Sequence, residues 1–176
     1  MDWADILQGR PEPQALMDYL QKKGVTHEML AEQVMLPEGD KPYGRKILYE
    51  SELGEVLLVS WSLENFSALH DHGSGSGLVC FFKGECLEEY WDWDAASGLR
   101  FQDKVKRVAG DVCVVQEKEI HRVKAISEGA LSLHFYIPSS GGMRVFDPSK
   151  SCYHVVTDDC GAWAPEREQI KKTVQW

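Results

Sequence analysis

The chain has few cysteines, no long hydrophobic run and no excess of positive charge. Its five cysteines are an odd number, and none stands in a Cys-x-x-Cys motif. This pattern argues against a disulfide framework and suits free thiols in a reducing compartment. No apolar stretch approaches the ~20 residues of a membrane span, and the first five residues lack the basic start and apolar run of a signal peptide. We therefore expect a soluble, cytoplasmic protein.

The formal net charge of −9 has the sign opposite to that of a nucleic-acid binder. Phosphate binding needs lysine and arginine concentrated on one face, whereas the basic clusters of this chain are short. We expect a protein that binds neither nucleic acid nor membranes. The sequence indicates no partner protein.

The chain is long enough for one domain with a full hydrophobic core, since it has 176 residues, of which 43% are hydrophobic. The first 40 residues predict two helices. Proline and acid at residues 11–13 begin the first helix, which ends near Lys23. Thr26 caps the second, which runs to about Val34. Residues 37–42 are a turn-rich linker.

From Tyr43 onward the chain predicts short β-strands, rich in β-branched or aromatic residues and separated by turn residues. They cover residues 45–49, 55–63, 78–82, 86–93, 104–108, 111–116, 121–126 and 130–137. Many short strands after a helical start favour a β-sandwich or a small barrel. Residues 152–157 would add an edge strand, and 164–175 form either a helix or a strand. We expect one domain over residues 1–176, with N-terminal helices (1–40), a β core (43–147) and a C-terminal extension (148–176).

The most informative stretch contains two histidines, His70 and His72, separated by one residue. On a strand, side chains two apart point to the same face, about 6–7 Å apart, so both imidazoles can bind one metal ion while Asp71 faces away. His121 follows a predicted turn and would begin another strand. Three imidazoles on one face can hold a divalent metal and leave positions open for ligands. The glycine-serine run at 73–77 lacks the Lys-Ser/Thr of a phosphate loop, and we interpret it as a turn near the metal.

These spacings resemble the two motifs of the cupin barrels. Where the first motif has a glutamate ligand, this chain has Gly77, and the motif's later glycine is Gly84. Gly110 and His121 keep the spacing of the second motif without its proline and internal glycine. The resemblance implies a mainly β cupin barrel, or double-stranded β-helix, whose metal site lacks the usual carboxylate.

Within the cupins, the chain resembles the thiol dioxygenases of the cysteine dioxygenase family. Matching segments lie between about residues 43 and 147: Tyr43-Gly44-Arg45, Val59-Ser60-Trp61, His121-Arg122-Val123 and Ser132-Leu133-His134-Phe135-Tyr136-Ile137-Pro138. The resemblance implies a non-haem Fe(II) enzyme that oxidises L-cysteine with O2 to cysteine sulfinate. The bond corresponding to Ile137-Pro138 is often cis in this family, and the sequence leaves its state here open.

The resemblance also assigns roles to individual residues. The implied iron ligands are His70, His72 and His121; the implied hydrogen-bonded chain beside the iron is Ser132, His134 and Tyr136; the implied substrate contacts are Arg45, Tyr43, Trp61 and Met143. Some relatives crosslink this tyrosine to a cysteine at the position of Gly77. Without a thiol there, we expect Tyr136 to remain free, as in many bacterial relatives.

A site with three neutral ligands predicts a preference for an anionic substrate, because no carboxylate ligand offsets the charge of Fe(II). Arg45 favours cysteine, since related 3-mercaptopropionate dioxygenases tend to carry glutamine there. That thiol, or another small one, stays open as an alternative. Because the cupin fold hosts many functions, a non-catalytic metal-binding or ligand-sensing protein is a further alternative.

Overall fold

The structure is a computed structural model that describes residues 3–9 and 12–176. The features predicted from Met1, Asp2 and Pro11 lie outside the described residues. Within these residues three helices precede the strands: α1 (Trp3–Gly9), α2 (Pro13–Lys22) and α3 (His27–Ala31). Within the described ranges, no helix has the length and apolar composition needed to cross a membrane.

The second predicted helix is shorter than expected. Thr26 caps α3 as predicted, because its hydroxyl accepts a hydrogen bond from the Met29 N–H at 3.2 Å. The helix ends at Ala31 and not near Val34, since the next amides turn to carbonyls three residues back. Helix α1 was not predicted. It has only seven residues, and its apolar side chains Ile6 and Leu7 are buried.

In the described part of the chain, twelve strands form two antiparallel sheets. They are β1 (Tyr43–Glu50), β2 (Glu55–Trp61), β3 (Leu69–His70), β4 (Gly77–Lys83), β5 (Glu85–Asp94), β6 (Gly98–Val108), β7 (Val112–Val115), β8 (Ile120–Ala125), β9 (Leu131–Tyr136), β10 (Arg144–Asp147), β11 (Cys152–Val156) and β12 (Ile170–Gln175). The five-stranded sheet has the order β1-β2-β9-β4-β7, and the seven-stranded sheet the order β12-β11-β10-β3-β8-β5-β6. The mainly β, cupin-like fold is thereby confirmed.

The prediction that the strands close into a barrel was wrong. In the part of the chain that the structure describes, no strand belongs to both sheets, and an isolated bridge between Gly73 and Gly141 lies outside the named strands. The expected strand through both His70 and His72 is shorter than predicted, because β3 ends at His70 and leaves His72 in the following loop. Strand β10 was not predicted, because four residues carry no clear periodicity. Strand β11 lies inside the sheet, and β12, whose lysines suit an exposed edge, takes the edge position. The Ile137–Pro138 bond is cis.

Alternation along β9 explains how the layers form. Leu131, Leu133 and Phe135 pack with the helices in one hydrophobic cluster. The intervening side chains project from the opposite face, towards the seven-stranded sheet. One face of this strand therefore holds the helices, and the other is available for polar groups. The C-terminal extension adds β11 and β12 to the seven-stranded sheet, while the division of the chain into one domain with three parts stays a prediction.

Candidate metal centre and substrate cavity

A cavity between the two sheets brings together nearly all the predicted site residues. Those that line it are Tyr43, Arg45, Trp61, His70, His72, His121, His134, Tyr136 and Met143. Ser132 does not line the cavity; it is fully buried behind His134. His70, His72 and His121 lie on or beside β3 and β8 of the seven-stranded sheet. The other residues, except Met143, come from β1, β2 and β9 of the five-stranded sheet.

His70, His72 and His121, the three-histidine site, converge on one point. His70 and His121 are direct partners in the β3–β8 ladder, and His72 follows two residues after His70 in the adjoining loop. One ring nitrogen from each lies within 4.8 Å of the others, and the Nε2 atoms of His72 and His121 are 3.0 Å apart. All three residues are buried. Such a cluster of nitrogen ligands has the geometry to bind a divalent transition metal.

Hydrogen bonds on the far side of two rings aim their ligand atoms. The Nδ1 atom of His70 lies 2.9 Å from the carbonyl oxygen of Ala68, and Nδ1 of His121 lies 2.6 Å from Oε1 of Glu88. Carbonyl and carboxylate oxygens only accept, so each Nδ1 carries the proton and each Nε2 is free for a metal. Burial lowers the pKa of His70 to about 3 and also lowers that of His72, so these rings are neutral and their lone pairs are available to a metal.

Glu88 is a supporting residue that the sequence did not reveal. It is 2% exposed and accepts a second hydrogen bond from Nε of Arg107 at 2.7 Å. Burial alone would raise the pKa of Glu88, but the contacts with His121 and Arg107 outweigh burial and lower it to about 2. The one available signal was alternation on β5, which places Glu88 on the same buried face as Cys86.

The Glu88 carboxylate changes the predicted electrostatics. The missing ligand at Gly77 implied a site with no anion to offset the metal charge. In the structure a buried carboxylate lies one hydrogen bond behind the candidate ligand His121, with Arg107 as its own counter-ion. The site therefore has neutral ligands but is not free of nearby charge.

Asp71, between the two histidines, faces away from the cavity as predicted. Its Oδ2 atom accepts a hydrogen bond from Nε of Arg144 at 2.5 Å, and its Oδ1 atom accepts the backbone N–H groups of Gly73 and Arg144. The side chain is fully buried. This pairing ties the loop that carries His72 to strand β10.

On the opposite wall, four residues form a hydrogen-bonded chain that we call the relay: Trp61, Ser132, His134 and Tyr136. Trp61 Nε1–H donates to Ser132 Oγ at 2.8 Å. Ser132 Oγ lies 2.9 Å from Nε2 of His134, whose Nδ1 lies 3.0 Å from the Tyr136 hydroxyl. The Tyr136 ring stacks on His72, with centroids 4.7 Å apart. The relay therefore ends against the three-histidine site.

The indole of Trp61 fixes the direction of the relay, because an indole N–H can only donate. Ser132 accepts that bond, and among the described residues its hydroxyl has His134 Nε2 as its other partner, to which it donates. Burial lowers the pKa of His134 to about 3, so the ring is neutral and its Nδ1–H donates to Tyr136. The hydroxyl of Tyr136 keeps its own proton to donate into the cavity.

Arg45 is held at the cavity by the C-terminal extension. One guanidinium nitrogen donates to the carbonyl oxygen of Asp159 at 3.0 Å, and the group lies 5.9 Å from the ring centre of Trp163. The hydroxyl of Tyr43 accepts the Ala162 N–H at 2.6 Å. No pattern in the sequence indicates these extension contacts, which join segments more than 100 residues apart.

Other groups that sequence reasoning missed also line the cavity. Cys160 is buried, which raises the pKa of its thiol to about 11 and keeps it protonated. Glu55 accepts the Ser140 N–H at 2.9 Å, and burial raises the pKa of its carboxyl group. Neither residue stands in a motif that could have identified it.

Known proteins resemble the chain over the same residues. Residues 42–149, more than half of the chain, match the family described as cysteine dioxygenase type I. The chain belongs to this family. It is 24% identical over 107 residues to a protein from Danio rerio named cysteine dioxygenase type 1, covering 57% of this chain and 53% of that relative. The match thus spans about half the length of the relative.

A solved structure supports the fold. A conserved protein with a double-stranded β-helix domain from Klebsiella pneumoniae superposes with a TM-score of 0.52 at 16% identity, covering 65% of this chain and 86% of that one. Gly77 packs closely against the backbone of β9. A Cβ atom there would clash with the carbonyl oxygen of Phe135. Neither a carboxylate ligand nor a cysteine fits at this position without a backbone shift.

Proposed function

We propose that the chain is a non-haem Fe(II) thiol dioxygenase that oxidises L-cysteine with O2 to cysteine sulfinate. Membership of the cysteine dioxygenase type I family supports this function. The observation that carries it is the convergence of the three-histidine site, the end of the relay and Arg45 on one cavity. Both oxygen atoms of O2 end on the sulfur, so the reaction needs no external reductant.

We assign the metal to His70, His72 and His121. Bound Fe(II) would supply a Lewis-acidic centre at which thiol and O2 are brought together. The protein's part is to hold three imidazoles with one ring nitrogen of each within 4.8 Å of the others, and to direct the Nε2 atoms of His70 and His121 through hydrogen bonds at Nδ1. Because every ligand is neutral, the centre favours an anionic thiolate over a neutral thiol.

Tyr136 is the proposed donor to the reacting groups. Burial raises the pKa of its hydroxyl well above the usual value, so this group stays protonated. The relay delivers a hydrogen bond from His134 to the tyrosine oxygen, and the phenolic proton therefore points elsewhere. Beside the three-histidine site, that proton would stabilise negative charge developing on oxygen or sulfur.

Arg45 is the proposed contact for the substrate carboxylate. A guanidinium can bind a carboxylate through two parallel hydrogen bonds, and the described contacts of Arg45 commit one of its nitrogens to Asp159. The ring of Trp163 supports the guanidinium from one side. Tyr43, Trp61 and Met143 complete the wall around the place where the substrate would lie.

The test is O2 uptake by iron-loaded protein with cysteine, together with detection of cysteine sulfinate. We expect one sulfinate for each O2 consumed, and faster turnover of cysteine than of 3-mercaptopropionate. Absence of uptake at full iron occupancy would reject the dioxygenase and favour a metal-binding protein. Faster turnover of 3-mercaptopropionate would keep the reaction and change the substrate.

Arg45→Gln tests the substrate assignment separately. Loss of a hydrogen bond to a charged group costs about 1.5–3 kcal/mol, so we expect KM for cysteine to rise by roughly ten- to a hundredfold with little change in iron content. Arg100→Gln, at an exposed ion pair with Asp94, is the control. An unchanged preference for cysteine in Arg45→Gln would remove this residue from the substrate site.

A further inference from the structure

A second group of metal-ligating side chains lies on the hairpin formed by β10 and β11. Asp147 and Cys152 are directly opposite in the ladder, and His154 follows Cys152 by two residues on the same strand. Residues in these positions share one face of a sheet. Thr173 on β12 is the ladder partner of His154 and completes the group. None of these residues lines the cavity.

The ligand atoms of Asp147, Cys152 and His154 lie within 4.8 Å of one another. The Sγ atom of Cys152 is 3.7 Å from Nε2 of His154, and Nδ1 of His154 is 2.8 Å from Oγ1 of Thr173. A metal on Nε2 requires the proton on Nδ1, where the threonine oxygen can accept it. Cys152 is buried, whereas the other two ligands are half-buried, so the group is open to ions from solvent.

The chemistry of these donors points to a particular class of metal. Thiolate, imidazole and carboxylate are the ligands that Zn²⁺ uses, and three of them leave a fourth tetrahedral position for water or another ligand. A thiolate disfavours Mg²⁺ and Ca²⁺, which prefer oxygen. Metal binding would release the thiol proton of Cys152.

One cation already interacts with the group. The ammonium of Lys150 lies 2.7 Å from Oδ2 of Asp147, while Oδ1 accepts bonds from Ser149 and from the Lys150 N–H. The Lys150 side chain is 70% exposed, so it can move into solvent. A divalent ion at Oδ2 would then replace a single positive charge with two.

We propose that Asp147, Cys152 and His154 form a second metal site, the hairpin site, which takes a zinc-type divalent ion through a thiolate. Strand β10 also pairs with β3, where Val145 is the partner of His70. An ion at the hairpin site would therefore tie together the strands behind one ligand of the three-histidine site. This proposal does not depend on the reaction proposed above.

The test is titration of the reduced protein with Co²⁺, followed by absorption. A thiolate bound to Co²⁺ gives a charge-transfer band in the near ultraviolet, which the three-histidine site cannot produce because it contains no sulfur. We expect two Co²⁺ per chain and this band in the native protein. Zn²⁺ should remove the band by displacement, and Mg²⁺ should not. One Co²⁺ per chain without the band would overturn the proposal.

Variants assign the band to individual residues. Cys152→Ser and His154→Gln should each remove it, while Cys113→Ser and His121→Ala should keep it; persistence in Cys152→Ser would show that another thiol is responsible. Circular dichroism of each metal-free variant checks that it is folded. If Cys152→Ser is unfolded, His154→Gln decides alone, and a band that survives this change rejects the site.

Two further changes should act in opposite directions. Thr173→Val removes the acceptor behind His154 and should weaken Co²⁺ binding by about 10- to 100-fold, the usual effect of losing such a partner. Lys150→Gln removes the competing ammonium and should strengthen binding. If Thr173→Val and Lys150→Gln bound Co²⁺ with the same affinity, the geometry proposed for the hairpin site would be contradicted.

Discussion

The two walls of the cavity orient their histidines in opposite senses. In the three-histidine site, His70 and His121 donate from Nδ1 to fixed acceptors behind them and present the lone pair of Nε2 to the cavity. In the relay, His134 accepts at Nε2 and donates from Nδ1 towards the cavity. One wall therefore offers lone pairs and the other offers a proton. A bound metal and a hydrogen-bond donor facing each other are suited to an anionic ligand held between them.

The origin of each orientation explains this difference. The first wall is anchored by groups that only accept, the carbonyl oxygen of Ala68 and the carboxylate of Glu88, whereas the relay is anchored by a group that only donates, the indole of Trp61. Changing an anchor should therefore disturb its own wall and spare the other. Metal content reports on the first wall, and turnover at full metal content reports on the second.

His121→Ala should have the largest effect. It removes one of three proposed ligands and the hydrogen bond that Glu88 accepts from His121, so we expect loss of both iron retention and activity. Iron analysis after gel filtration and an O2 electrode measure the two quantities. His27→Ala, outside the cavity, is the control and should behave as the native protein. An iron-replete, active His121→Ala protein would remove this residue from the site.

Tyr136→Phe should distinguish most clearly between the roles of the two walls, because it should change turnover and not iron content. It removes the proton that the relay directs into the cavity but keeps the ring that stacks on His72. We expect turnover to fall by about 100- to 1000-fold, as for loss of one transition-state donor, at unchanged iron content. Tyr49→Phe, on the helix-facing side of the five-stranded sheet, is the matched control. Parallel loss of iron and activity would instead indicate a structural role.

Glu88→Gln should weaken metal binding at the three-histidine site and leave the relay intact. The amide oxygen can still accept from His121, but the charge is lost and the half-buried Arg107 is left without its counter-ion. We expect iron affinity to fall by about 10- to 100-fold, while turnover measured at saturating iron stays near the native value. The adjacent Glu89→Gln is the control, because Glu89 pairs with Arg122 and has no contact with His121. Reduced turnover at native affinity would contradict this division between the walls.

Residues could be predicted from sequence where a short spacing determined their placement. The alternation of Ser132, His134 and Tyr136 on β9 follows from the two-residue period of a β-strand. The spacing of His70 and His72 also identified a metal site, although His72 lies in the loop after β3 and not on the strand. The contact between Glu88 and His121 depends on sheet register. Tyr90, two residues after Glu88 on β5, is the ladder partner of His121 on β8, and this pairing brings Glu88 within reach of the histidine. Local periodicity does not determine which strands pair or in which register, and the chain had no motif around Glu88.

The contacts that the C-terminal extension makes with the cavity could not be predicted, for a related reason. Asp159 and Ala162 act through backbone groups, a carbonyl and an N–H that every such residue possesses. Side-chain identity therefore gave no signal of their contacts with Arg45 and Tyr43. The unclosed barrel is a similar case, because strand pairing over the whole structure decides which strands share a sheet.

Trp61→Phe should give the smallest effect and is the sharpest test of the relay's direction. Without the indole donor, Ser132 can still bond to His134, but the serine proton is no longer forced towards Nε2. The change removes one hydrogen bond, about 0.5–1.5 kcal/mol, so we expect turnover to fall roughly two- to tenfold at native iron content. Trp91→Phe is the control, since the Trp91 N–H has no hydrogen-bond partner among the described residues.

In a Ser132→Ala background the same change at Trp61 should have no further effect, because the residue that transmits it is gone. Additive losses in the double variant would mean that Trp61 acts through packing and not through the relay.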